Sequence, residues 1–98
     1  MYRCYVSTVG NPDFNQYAPV SDPEWIESAT LQDLRAEIQE YQRFYNVGGG
    51  NWKDPIVYEV RGKTKKKIGS LSYNLRLWVK KPAIVGDKYI EGVEYDES

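Results

Sequence analysis

The chain has no histidine and a single cysteine among its 98 residues. Without histidine it lacks the usual general base, the usual activator of a serine or cysteine nucleophile and the commonest transition-metal ligand. Catalytic triads and most zinc sites are excluded with it. Cys4 cannot close an internal disulfide and has no second Cys to activate it, and it falls on the apolar parity of an alternating segment. It therefore reads as a small core residue and not as a nucleophile. No apolar run approaches the roughly 20 residues that span a bilayer, and Met1-Tyr2-Arg3-Cys4-Tyr5 does not open like a secretory leader. The expectation is a cytoplasmic chain with no membrane contact.

Other chemistry is equally scarce. Glu37 and Glu40 fall on a helix and Asp22 and Glu24 in a loop, with no pair in an apolar setting that would split two pKa values and no calcium-loop spacing. Gly48-Gly49-Gly50-Asn51-Trp52-Lys53 invites comparison with phosphate-binding loops. Those follow a strand and open a helix, whereas these glycines close one, and no Gly-Lys-Ser/Thr follows. A helix cap with a flexible turn is the simpler reading, although three glycines exceed what a cap requires and leave room for a contact loop anchored by Trp52. No catalytic residue, metal ligand or cofactor site is expected, and the chain reads as a non-enzyme.

What is present is ordinary globular material rich in tyrosine. An apolar share of 41% with 28% charged residues places it far from disordered compositions, and its length suits one domain over residues 1–98. Nine Tyr and three Trp suit both small cores and interfaces, because such rings pack while keeping a polar tip wet.

Tyr2, Cys4 and Val6 alternate with Arg3, Tyr5 and Ser7, which predicts a strand from Met1 to Val9, stopped by Gly10-Asn11-Pro12-Asp13. A proline-containing loop follows to Glu24, with Phe14 and Tyr17 to dock it, then a short strand from Trp25 to Ala29. Leu31, Leu34, Ile38, Tyr41 and Tyr45 form one helical stripe, with Thr30 as N-cap toward Asp33 and Gly48 as the left-handed terminator. Ile56–Val60 alternates as a strand. Ile68–Val79 reads as a longer one with Leu71, Tyr73, Leu75, Leu77 and Val79 on one face and Ser70, Ser72, Asn74 and Arg76 on the other. Between them Arg61–Lys67 reads as a charged hairpin connection, and Tyr89–Val93 as a last strand before an acidic tail. This order predicts an α+β fold: a mostly antiparallel sheet of four to five strands with one amphipathic helix packed on one face, leaving the other face open to water or a partner.

The near-neutral total charge hides segregation. Residues 1–60 hold nine acids against four bases, residues 61–88 nine bases against one acid, and residues 89–98 four acids. Arg61, Lys63, Lys65, Lys66, Lys67, Arg76, Lys80 and Lys81 can track phosphates on a basic strand pair, with Trp78 as a stacking surface. The competing reading is a solvated lysine-rich turn that protects a sheet edge. Asp22, Glu24, Glu27, Asp33, Glu37 and Glu40 can form one acidic face. Tyr5, Val57 and Trp78 share off-core parity, and on an open sheet face they would make an apolar centre rimmed by polar residues such as Arg76. Alternatively the C-terminal segment, with Ile84, Val85, Tyr89 and Ile90, folds over Trp78.

A Tyr-rich chain with a Gly10-Asn11-Pro12-Asp13 turn, one amphipathic helix, a Gly48-Gly49-Gly50-Asn51-Trp52 closure and a Tyr73-Asn74-Leu75-Arg76-Leu77-Trp78 strand is similar to small accessory proteins of bacteriophages and bacteria, anti-CRISPR or antirestriction-like in style. The resemblance carries over no functional residue. It implies an inhibitor that occupies a nucleic-acid or catalytic surface of a larger host machine, which needs a shaped and charge-patterned surface and nothing reactive. The expected partner is thus a host protein or nucleoprotein complex, engaged through Tyr5, Trp52, Arg76 and Trp78. The alternative is a small nucleic-acid-binding module built on residues 61–81. A homodimer through the open sheet face is compatible with either.

Overall fold

The computed structural model describes residues 1–6, 24–45 and 47–95. In strand β1 (Tyr2–Val6) Cys4 and Val6 are buried while Tyr5 faces outward, as a half-buried strand of period two requires. β1 pairs on one side with β2 (Glu24–Ser28) and on the other with β3 (Ile56–Arg61), both antiparallel. β3 reverses at Gly62-Lys63 into β4 (Thr64–Leu71). Gly62 has a φ of +58°, a left-handed conformation that glycine enters without a Cβ penalty. β4 reverses into β5 (Leu77–Lys80). The chain then leaves the sheet for a separate hairpin of β6 (Ala83–Val85) and β7 (Lys88–Ile90), and returns as β8 (Val93–Glu94) alongside β5. The sheet order is β2-β1-β3-β4-β5-β8.

Helix α1 (Leu31–Phe44) covers one face of this sheet and buries Leu31, Leu34, Ile38 and Tyr41. Thr30 Oγ1 accepts from the Asp33 N–H at 3.1 Å, a cap of the kind that stabilises by about 1 kcal/mol. Two side chains tie the helix to the far end of the sheet: Arg35 Nε donates to Leu75 O and Gln42 Nε2 to Tyr73 O, both at 3.1 Å. The helix does not end as expected. Val47 N–H donates to Gln42 O at 2.8 Å, the six-to-one bond of a Schellman-type end. Gly48 is not in the left-handed region, which among the described glycines holds Gly62 and Gly86.

The α+β class, the antiparallel sheet and a helix on one face are as the sequence predicts; among the described residues the strand count is higher. Ile68–Val79 is not one strand but parts of β4 and β5 around a turn at residues 72–76. There Ser72 N–H donates to Arg76 O at 2.9 Å and Ser72 Oγ accepts from Arg76 N–H at 3.1 Å. Leu71 and Leu77 face each other across the hairpin and are both buried, whereas Tyr73 and Val79 are exposed. The turn places Leu75 at a φ of 67°, where a Cβ costs about 1 kcal/mol. Likewise Lys65, Lys66 and Lys67 belong to β4 and not to a connecting loop, because the turn occupies Gly62-Lys63 alone. The expected last strand divides into β7 and β8. The expected end of the first strand at Val9, its Gly10-Asn11-Pro12-Asp13 stop, and Phe14 and Tyr17 of the following loop lie outside the described residues.

Two residues given surface roles by parity belong to the core. Val57 is fully buried opposite Cys4. Trp52 is brought inward by a 3-10 turn over Gly49–Asn51, and its Nε1–H donates to Leu71 O at 3.1 Å. The glycine run therefore leads into an indole that packs in the core and is not presented to a partner.

Burial also fixes the chemistry of Cys4, whose thiol is pushed up to about 12 by loss of solvent. Because the unfolded thiol ionises near 8.5, the folded chain holds that proton where the unfolded chain releases it. Stability is thus intact below about pH 8.5 and declines as pH rises toward 12. Urea midpoints should fall from pH 8 to pH 10.5 more steeply in the wild type than in Cys4→Ala, and the thiol should react with a disulfide reagent only on unfolding.

Candidate functional site

The β6–β7 hairpin is built from residues that ordinarily seek cover. Ala83, Ile84 and Val85 pair with Ile90, Tyr89 and Lys88, and the reversal at Gly86-Asp87 places glycine first, with φ +62°, as tight two-residue turns favour. Ile84 is 77% exposed, Tyr89 69% and Val85 62%. Ile84 and Tyr89 stand opposite each other on one face of the hairpin, while Val85 looks to the other. No other helix or strand among the described residues packs against it. Val79 and Val93, at the hairpin's base, are also more than half exposed. An isolated two-stranded hairpin is marginal in water, and contiguous exposed apolar surface marks an interaction site.

The open face of the sheet carries a second, different surface. Tyr5 on β1 stands directly opposite Trp25 on β2, with ring centroids 5.0 Å apart. Tyr58 on β3 lies 6.2 Å from Trp25. Cations cover these rings: the Arg3 guanidinium sits 4.2 Å from the Trp25 centroid, and Lys65 Nζ lies 4.4 Å from Tyr58 and 5.5 Å from Trp25. Arg3 Nε also lies 2.9 Å from Glu27 Oε1, but its N–H is not aimed at that oxygen and remains without a hydrogen bond. Lys67 stands opposite Tyr58 on the same face.

The expected site residues do not converge. Tyr5 and Trp78 share the open face but stand on β1 and β5, with β3 and β4 between them. Trp78 is half-buried, and Gly92 lies close over it: a Cβ there would come 2.8 Å from the indole and 2.4 Å from Pro82. The return of the chain thus passes close to Trp78 at Gly92, and not through Ile84, Val85 and Tyr89, which are exposed. The apolar side chains of the hairpin, however, project away. Arg76 lies in the β4–β5 turn, 3.6 Å from Glu94.

The basic track is divided by the pleat of the sheet. Lys65 and Lys67 lie on the open face, whereas Arg61 and Lys66 line a small cleft with Glu59 and Thr64 on the other. Arg61 is ion-paired to Glu59 and Lys81 to Asp54. Lys63 is in the tight turn, and Lys80 is exposed at the end of β5. The acids divide as well. Glu24, Glu37 and Glu40 rim a groove of about 370 Å³ floored by Ile26, Tyr41, Phe44 and Tyr45. Glu27 serves the open face, Asp33 the helix N-terminus, and Asp22 lies outside the described residues.

Trp25 and Tyr58 are the open-face residues that sequence reasoning missed. Strand parity within β2 and β3 holds the signal, but only the pairing register brings the two rings together with Tyr5. Among the described residues no group of three or more His, Cys, Asp or Glu side chains is placed to hold a metal ion, and no helix is long and apolar enough to cross a membrane. Comparison with family models, with curated proteins and with solved structures finds no match, so both surfaces are read from their own residues.

Proposed function

We propose that the chain acts by binding and not by catalysis, inserting Ile84, Val85 and Tyr89 of the β6–β7 hairpin into an apolar cleft on a partner protein. The observation that carries this reading is the projecting hairpin, whose large apolar side chains are uncovered by any other described element. Burying each of them in a complex yields about 1.5–3 kcal/mol, enough for a few to dominate an interface. The hairpin alone is marginal in water, so part of this contact energy goes into ordering it on association.

On the resemblance in sequence style alone, we extend this proposal to an anti-CRISPR-like or antirestriction-like inhibitor that plugs a working surface of a host protein or nucleoprotein machine. A plug of that kind needs shape and apolar contact, both of which the hairpin supplies. The test is recovery of a partner by the wild type and by a chain carrying Ile84→Asp with Tyr89→Ser: a partner retained equally by both would refute the hairpin as the docking element.

A further inference from the structure

A second surface lies on the open face of the sheet, and its chemistry differs from that of the hairpin. Trp25, Tyr5 and Tyr58 form a continuous patch across three neighbouring strands, and Arg3, Lys65 and Lys67 stand among the rings with Glu27 as the acid paired to Arg3. We infer that this face binds single-stranded nucleic acid, the rings stacking on unpaired bases while Arg3, Lys65 and Lys67 contact the phosphates.

Three observations support this occupant. First, the rings stand on three neighbouring strands, with Tyr5 5.0 Å and Tyr58 6.2 Å from Trp25, so the bases of one flexible strand can reach them across a single patch. Second, Arg3 and Lys65 now spend their charge on ring faces. A contact of that kind is weak at an exposed site, so Lys65 can swing to a phosphate, and Arg3 to another on leaving Glu27, while bases take their places on the rings. Third, Tyr5 and Trp25 remain close to half exposed, and a duplex, whose base faces are stacked inside, offers them nothing to stack upon. The site uses the lysines of β4 but only those of one parity. Arg61 and Lys66 face the other way and take no part.

The experiment is a titration of fluorescein-labelled oligothymidylate with the full chain, following anisotropy and tryptophan emission together over a salt series. The wild type should bind at low salt with quenched tryptophan emission and weaken as salt rises. Trp25→Ala should lower affinity about tenfold or more, and Trp25→Phe should restore most of it. Lys65→Gln with Lys67→Gln should weaken binding and reduce the slope of log K against log salt by about 1.4. Both lysines are exposed, so circular dichroism should show these variants folded. Ile84→Asp with Tyr89→Ser should bind as the wild type does, which lets this site and the hairpin fail separately. Three results would overturn the inference: no binding at low salt, equal binding of duplex or heparin, or an affinity that Trp25→Ala leaves unchanged.

Discussion

Gly69→Ala should destabilise the chain by about 3 kcal/mol, at the upper end of what overpacking costs. Gly69 stands opposite Val57 on the core face of β4, where the register of β3 against β4 shifts. A Cβ at this position would lie 2.5 Å from the carbonyl oxygen of Trp78 and 3.3 Å from Leu77 Cδ1. The first obstacle is backbone, so no side-chain rotation relieves it, and β5 must move away from β4. That displacement pulls Leu77 off Leu71 and loosens the strand that pairs with β8. A domain of this length has about 5–15 kcal/mol of total stability, and a loss of this size lowers its melting temperature by roughly 12–24 °C. Gly50→Ala is the matched control, since a Cβ there meets nothing within 4 Å. Urea melts followed by tryptophan emission decide the matter, and equal midpoints for the two variants would mean that β4 and β5 do not approach as closely as described.

Ile84→Asp with Tyr89→Ser should have the opposite profile, with stability nearly unchanged and partner affinity lowered by about three orders of magnitude or more. The first half follows from exposure: substitutions at side chains that touch little stay within about 0.5 kcal/mol of the wild type. The second half follows from interface energetics, where truncating one central anchor costs about 2 kcal/mol or more and a charge buried in an apolar cleft adds its own desolvation penalty. Calorimetry or surface plasmon resonance against the captured partner reads the affinity, and thermal melts read the stability. A variant that melts like the wild type and still binds with wild-type affinity would move the interface elsewhere.

Much of the scaffold is legible in the amino-acid sequence because local rules and the final packing agree. The stripe Leu31, Leu34, Ile38, Tyr41 is both a helical pattern and the observed buried face, and Thr30 caps Asp33 as its spacing predicts. Where reading fails, the local signal is outweighed: Ser72 and Asn74 are turn formers, but they sit between apolar residues that keep the strand alternation. The β4–β5 turn contains neither Gly nor Pro, and Leu75 occupies a left-handed position that ordinarily goes to Gly or Asn. Alternation of apolar residues therefore runs through the turn without a break. Trp52 misleads in the reverse direction, because the glycines before it resemble an exposed loop whereas the indole itself is buried and donates to Leu71 O.

The surfaces are less legible than the scaffold for a physical reason: each depends on register. Tyr5 can be assigned to the open face by parity alone, but its neighbours Trp25 and Tyr58 are fixed by how β2 and β3 align with β1. The run from Lys65 to Lys67 looks like one charged block until the pleat sends its members to both faces. One of two sequence readings makes Ile84, Val85, Tyr89 and Ile90 cover for Trp78, whereas Gly92 lies against the indole and Ile84, Val85 and Tyr89 are exposed.

The most direct test of the hairpin as the docking element places a photo-crosslinking amino acid at Tyr89 and, in a separate chain, at exposed Gln39 on the helix. Irradiation in cells that contain the partner should yield one discrete adduct from position 89, none from position 39, and loss of the adduct when Ile84→Asp is added. Equal adducts from both positions, or an adduct at 89 that survives Ile84→Asp, would contradict the account.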